Sequence, residues 1–378
     1  MPESPFAQPE TTVLAYRGYN YTNLGRSHEM LNHPDYGDFY RKRLQECGEI
    51  CSQTLSRKID LVRRVERRKE TTLRNYSDAV GLIVAAEMAQ VDIMQAMYQV
   101  DLQKFQMAMG YSLGELTALV VSGSLTLEDA LSIPLNLAKD AAKLADDCTL
   151  AVIFCLRQEL PAELVQKHCQ KVNAEGDELI GISAILSPNS LIVVGEGDSV
   201  DRLKAKLSEE IESRIFVKKN EHKWPPLHTP LTWRKNISTR AALLMTKMQS
   251  GFTAPCPPVL SLVTGSCSYN EINLRETIGD WVDHPQNLWD AVYETLVQGT
   301  NTIIHLGPAP NIIPATYHRL ADNVELQTRG SLHKRTLATF VNRPWLKALL
   351  PEKAALLRAP SINHFILEDW LLDEAGED

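Results

Sequence analysis

Cysteine gives this chain no framework. Its seven cysteines (Cys47, Cys51, Cys148, Cys155, Cys169, Cys256 and Cys267) are odd in number, and no pair stands at CxxC spacing. That argues against a disulfide scaffold or a cysteine zinc site and points to a reducing compartment. Cys47 and Cys51 lie one helical turn apart, where packing accounts for them. Excess positive charge is missing too: 39 Lys and Arg face 47 Asp and Glu, a formal net charge of -8. Nucleic acid is therefore not an expected partner, because phosphate binding needs a basic surface. Neither HExxH nor a phosphate loop occurs, so no metal and no bound cofactor are expected. No apolar run of the roughly 18 residues that a membrane span needs was read in the sequence. Residues Met1 to Thr12 lack a basic-then-apolar leader pattern. A cytoplasmic protein without a membrane partner is the expectation.

What remains is an ordinary globular composition, 44% hydrophobic and 23% charged over 378 residues. That length suits a large domain with a smaller one inserted. Charge is uneven, however. Arg57, Lys58, Arg63, Arg64, Arg67, Arg68 and Lys69 crowd one stretch. They make either a solvated helix face or a landing site for an acidic partner protein.

Thr11 to Ala15 reads as a first buried strand, and Tyr16 to Asn20 as the turn after it. A helical region runs from about Tyr40 to Gln99, with apolar residues at helical spacing. Lys104 to Met109 alternates, which predicts a short strand with Phe105, Met107 and Met109 on one face. From Thr149 the order becomes strand, helix, two strands about Ser187-Pro188-Asn189, helix, strand. This pattern predicts a ferredoxin-like subdomain. VLSLVTG and NTIIHLGPAP then return to buried-strand style. The expected fold class is α/β: an α/β-hydrolase-like large domain (1–148 and 228–330), an inserted ferredoxin-like α+β subdomain (149–227) and a C-terminal extension (331–378). A cleft between the two domains is the default ligand site. The extension either packs on the body or offers a peptide to a partner.

Gly110-Tyr111-Ser112-Leu113-Gly114 is a GxSxG elbow between a predicted strand and a predicted helix. Such a turn exposes a serine hydroxyl at a helix N-terminus, where backbone N–H groups face a developing oxyanion. Ser112-x-x-Glu115 is equally a capping box, which would leave Ser112 a structural cap. A hydroxyl needs a base. His228, in Pro225-Pro226-Leu227-His228-Thr229-Pro230, re-enters the large domain after the insert and is the leading candidate. His222 is its rival, in a charged stretch that suits a surface residue. His284 and His305 flank buried elements and read as structural.

The assembled motifs resemble the acyl-carrier-protein S-malonyltransferase family, which includes the acyltransferase domains of polyketide and fatty acid synthases. The likeness spans about residues 11 to 330. GYSLGE resembles the family's GHSLGE nucleophile, Leu227 to Leu231 its FHSPL-type histidine motif, Pro258 to Gly265 its PVxSNVTG strand, and His305 to Ala309 its EVGPG turn. The resemblance implies acyl transfer from a coenzyme A thioester to an acyl carrier protein, in fatty acid or polyketide biosynthesis. It assigns Ser112 as nucleophile, His228 as base, and the backbone N–H groups of Leu113 and Arg17 as the oxyanion hole.

Four departures from the family pattern matter. The GQGSQ loop reads Arg17-Gly18-Tyr19-Asn20-Tyr21, and Tyr111 replaces the His before the nucleophile. The family's histidine-orienting Gln aligns with Trp281, and its carboxylate-binding Arg aligns with Leu137. Tyr111, Leu137 and Trp281 are thus expected around the substrate. No Arg lies between Ser112 and Arg157. The acyl group is therefore either malonyl, with Lys139 or Arg17 supplying charge, or an acyl group without a free carboxylate. An editing thioester hydrolase and a non-catalytic docking relative stand as alternatives.

Overall fold

The computed structural model describes residues 4–328 and 344–374. Two sheets organise it. The first has strand order β7-β2-β1-β8-β9, from β1 (Thr12–Tyr16), β2 (Met107–Gly110), β7 (Val259–Leu260), β8 (Thr302–Leu306) and β9 (Asn363–Ile366). Every pairing in it is parallel. Parallel strands need both faces covered, and their apolar side chains alternate accordingly. Leu14 and Tyr16 point to one core, which holds the helices Gly37–Leu55, Tyr76–Tyr98 and Leu127–Ala145. Val13 and Ala15 point to the other, which holds Leu288–Val297 and Ile312–Thr328.

The second sheet is antiparallel, with order β4-β5-β3-β6. It comprises β3 (Cys148–Cys155), β4 (Ile180–Ser187), β5 (Ser190–Glu196) and β6 (Ile215–Lys219). The helices Ala162–Ala174 and Ser199–Glu210 cover one face around a core of their own. The chain order and strand order are those expected of a ferredoxin-like unit. The large α/β body and the smaller inserted sheet thus match the sequence reading.

Three local expectations need correction. Phe105 does not share a face with Met107 and Met109. It precedes β2, after a short 3-10 turn at Leu102–Lys104, and packs into the opposite core. The segment Leu73–Tyr98 is long and apolar enough to cross a membrane by length and composition. In this fold it is a core element, with 78% of its most apolar window buried. Finally, β7 is only two residues long, so most of VLSLVTG is turn.

Residues 331–343 and 375–378 of the extension lie outside the described residues. The part between them packs on the body. Trp345 and Leu346 enter the second core, β9 adds an edge to the main sheet, and Glu368 accepts hydrogen bonds from Ala309 N and Arg26 N.

Candidate active site

The elbow begins with a crowding problem. β2 runs straight into the helix Leu113–Val121, so the backbone must reverse within three residues. A Cβ at Gly110 would lie 2.0 Å from the carbonyl carbon of Gly114, and one at Gly114 would lie 2.4 Å from Tyr16 O. Only glycine fits either place. Ser112 absorbs the reversal with φ 53 and ψ -116, a region that non-glycine residues rarely occupy. Such strain persists only where surrounding contacts fix it.

Those contacts are present. Ser112 N–H donates to Gln286 Oε1 at 3.1 Å, and the Trp281 indole N–H donates to Ser112 O at 3.0 Å. The hydroxyl makes no capping bond, so the capping-box role is not taken. It lies instead 2.7 Å from His228 Nε2. Glu115 does not reach back either: it is buried and accepts from Tyr269 Oη and Leu262 N.

His228 also stands at positive φ (64). Its N–H donates to Val282 O, and its Nδ1 lies 2.6 Å from Trp281 O at the end of the helix Leu274–Trp281. A carbonyl there accepts from Nδ1–H, so Nε2 keeps its lone pair toward Ser112. Burial lowers the imidazole pKa from 6.5 to about 4, against smaller opposing effects of the Trp281 carbonyl and Asp283. The ring is therefore neutral at pH 7, as a proton acceptor must be.

Gln286 had escaped the sequence reading. Fully buried, it touches both partners: besides Ser112 N, its Nε2 lies 3.3 Å from His228 Nδ1. Its backbone bonds to Ser183 O and Ile185 N, which ties it to the edge of the small sheet. No motif marks a lone glutamine after a proline. Its closeness to Trp281 in the chain was the one usable signal.

The rival histidines are elsewhere. His222 is exposed and stacks on Tyr21, His284 is exposed beside Asp283, and His305 is buried against His364.

A cavity of about 400 Å³ opens beside the Ser112–His228 pair. Five aromatic residues line it: Tyr19, Tyr21, Tyr76, Tyr111 and Trp224. Leu150, Val152, Leu186, Ile192 and Val194 of the small sheet form the far wall. No Asp, Glu, Lys or Arg is among the described lining residues. Tyr111 lines the cavity as expected. Trp281 instead lies beneath the site, 1% exposed, and holds it from behind. Leu137 is 1% exposed in the helical core and does not line the cavity.

Neither substitute for the missing arginine reaches the cavity. Lys139 is exposed and outside the lining. Arg17 is 2% exposed, and its guanidinium donates to Gly18 O, Pro308 O and Asn23 Oδ1. Burial pushes the carboxyl of Glu87 up to about 8, against the opposing effects of the Thr117 hydroxyl and Arg17. Leu113 opens its helix, so its N–H has no preceding turn to bond.

No family model matches the chain. The curated malonyl CoA-acyl carrier protein transacylase of Bacillus subtilis is 22% identical over 203 residues, 53% of this chain and 60% of that protein. The erythronolide synthase EryA3 of Saccharopolyspora erythraea is 24% identical over 237 residues, 60% of this chain and 6% of that synthase. The chain thus matches less than two thirds of either relative's length. Solved structures extend the likeness. The malonyl-CoA:acyl carrier protein transacylase of Xanthomonas oryzae superposes with TM-score 0.62 at 19% identity, covering 81% of this chain and 90% of that one. The acyltransferase domain from module 8 of the salinomycin polyketide synthase gives TM-score 0.63 at 19% identity, covering 82% and 67%. The chain's homologues and structural neighbours are these transacylases and acyltransferase domains. Its large α/β body with a ferredoxin-like insert is the transacylase fold. The elbow and the histidine stand at the seam between its two parts.

Proposed function

We propose that this protein moves an uncharged acyl group from coenzyme A to the pantetheine thiol of an acyl carrier protein, through an ester on Ser112. The observation that carries this reading is the 2.7 Å contact between Ser112 Oγ and a buried, neutral His228. In the first half-reaction His228 Nε2 takes the hydroxyl proton as Ser112 Oγ attacks the thioester carbonyl. The backbone N–H groups of Leu113 and Arg17 hold the oxyanion. The intermediate collapses, the C–S bond breaks, and His228 returns the proton to the leaving thiolate. In the second half-reaction the carrier's thiol gives its proton to His228, its sulfur takes the acyl group as the ester C–Oγ bond breaks, and His228 returns the proton to Ser112 Oγ.

The neutral lining supports an acyl group without a free carboxylate. A malonyl carboxylate there would meet no cation, at a cost of several kcal/mol. The largely apolar and aromatic lining favours transfer over hydrolysis, because an apolar wall disfavours water beside the acyl-enzyme. We place the activity in fatty acid or polyketide assembly, with a synthase or free carrier protein as partner.

Intact mass after mixing with acetyl-, hexanoyl- and malonyl-coenzyme A tests the reading. The expected result is a stable acyl adduct from the uncharged donors, discharged on adding carrier protein and absent in Ser112→Ala. Rapid loss of the adduct to water would make the protein a hydrolase. No adduct from any donor would leave a docking relative.

A further inference from the structure

The C-terminal extension buries a carboxylate beside the loops that carry the oxyanion site. Glu368 lies in the short helical turn Leu367–Asp369 that follows β9, and it is 2% exposed. Its Oε1 accepts from Ala309 N at 2.5 Å, and its Oε2 accepts from Arg26 N at 3.0 Å. Taking a carboxylate out of water is costly, so a buried one persists where charge-assisted hydrogen bonds offset the loss. Both bonds go to backbone far away in the chain. Glu368 thus joins three segments, at 26, 309 and 368. The junction is tight: a Cβ at Gly25 would lie 2.8 Å from Ala309 N and 2.8 Å from Glu368 Oε1.

The turn that Glu368 holds is strained. Ala309 stands at φ 48, a left-handed conformation that a non-glycine residue keeps only where contacts fix it. This turn follows β8 directly and is held at three successive residues. Gly307 N donates to Gln90 Oε1 at 2.7 Å, Pro308 O accepts from the Arg17 guanidinium, and Ala309 N donates to Glu368. Arg17 therefore hangs its side chain on the turn, where a Cβ at Gly307 would lie 2.6 Å from Arg17 Cγ. Its main chain presses on the elbow from the other side. A Cβ at Gly114 would lie 2.5 Å from Arg17 O, and one at Gly18 would lie 2.5 Å from Tyr111 O. The Arg17 backbone is thus fixed between the elbow and the turn at 307–309.

We propose that Glu368 is a positioning residue for the oxyanion hole. It fixes Ala309 and Pro308, these fix the Arg17 side chain, and that side chain sets the place of the Arg17 N–H. Glu368 itself touches no substrate. The inference rests on the transfer reading above for Arg17 as an oxyanion donor, and it gives the C-terminal extension a part in the chemistry.

Labelling of Ser112 by a fluorophosphonate needs only the nucleophile and the oxyanion site, so it tests the inference without any thioester. Four full-length proteins are compared: wild type, Glu368→Gln, Arg17→Lys and the double variant. An amide offers one acceptor oxygen in place of two, and an ammonium lacks the planar fork of donors that Arg17 uses. Both changes keep the Arg17 backbone N–H. Each single change is expected to slow labelling about tenfold, the size of one charge-assisted hydrogen bond. Because both act along one path, the double variant is expected to lose about tenfold as well, and not about a hundredfold. With acyl-coenzyme A donors the loss falls on kcat. Additive slowing, unchanged labelling in either single variant, or a loss confined to KM overturns the proposal. The control Asp369→Asn/Asp373→Asn removes two ion pairs of Arg26 with the extension and leaves Glu368 in place. Its labelling is expected to match wild type, and an equal tenfold loss there would make the extension a structural anchor only, against the proposal. If Glu368→Gln does not fold, Arg17→Lys decides alone, and no slowing in it refutes the path. Failure of every thioester to acylate Ser112, with labelling still slowed in the variants, would sink the transfer reading and leave the role of Glu368 standing.

Discussion

The two walls of the cavity are built on different principles. On the large-domain side, Ser112 and His228 both stand at positive φ; Ser112 is held by hydrogen bonds to Trp281 and Gln286, and His228 by one to Trp281 O with Gln286 packed beside it. On the small-sheet side, Leu150, Val152, Leu186, Ile192 and Val194 offer only apolar surface. A strained, hydrogen-bonded constellation fails when one member moves, because several groups depend on each other. An apolar wall fails gradually, methylene by methylene. On the proposed transfer reading, the first side fixes the chemistry and the second leaves acyl selection adjustable.

The sharpest way to break this contrast is Gly114→Ala. The new Cβ would meet Tyr16 O at 2.4 Å and Arg17 O at 2.5 Å, so the elbow cannot keep its form. Acyl-enzyme formation is expected to drop by roughly 10³-fold, the scale of losing an oxyanion donor. Stopped-flow release of coenzyme A checks it, beside a melting curve to separate local from global damage. Next comes Gln286→Leu. It leaves Ser112 N–H unpartnered and frees one side of His228, and kcat is expected to fall by roughly 10²-fold with little change in KM. Steady-state kinetics decide; a change confined to KM would make Gln286 part of the substrate wall instead. The smallest effect belongs to the other side. Leu186→Ala should leave acetyl transfer within a few-fold of wild type. It should favour acyl chains one or two carbons longer by roughly tenfold in kcat/KM, the value of a methylene in an apolar pocket. Competition between acyl-coenzyme A donors measures that ratio. A collapse of acetyl transfer would show that the wall carries chemistry too.

The two sides also differed in how far sequence exposed them. Apolar runs marked β1, β3 and β5, and the elbow declared itself because the glycines at 110 and 114 have a steric reason to be there. His228 was traceable because it re-enters the large domain at the seam. Gln286 was not: its role depends on two contacts more than fifty residues away, at 112 and 228, and glutamine carries no local signature. Phe105 misled because alternation continued past the true start of β2, where a 3-10 turn rotates the chain. Leu137 was expected at the substrate from the family resemblance, but an apolar side chain at that position packs into the helical core. Of the aromatic lining only Tyr111 was expected, because Tyr19, Tyr76 and Trp224 come from separate stretches that only folding joins to it.

The neutral imidazole gives the most direct test. Its folded pKa of about 4 lies below the ordinary 6.5. Between those values the unfolded chain binds a proton that the folded chain refuses, so this contribution to stability is lost as pH falls through that window. Over the same range a folded site keeps its base. Labelling by a fluorophosphonate, followed by peptide mapping and measured from acid to neutral pH, reads both the nucleophile and its base. The account predicts a label on Ser112 whose rate holds down to an acid limb near about 4. A label elsewhere, or a Ser112 rate already halved near 6.5, would contradict it.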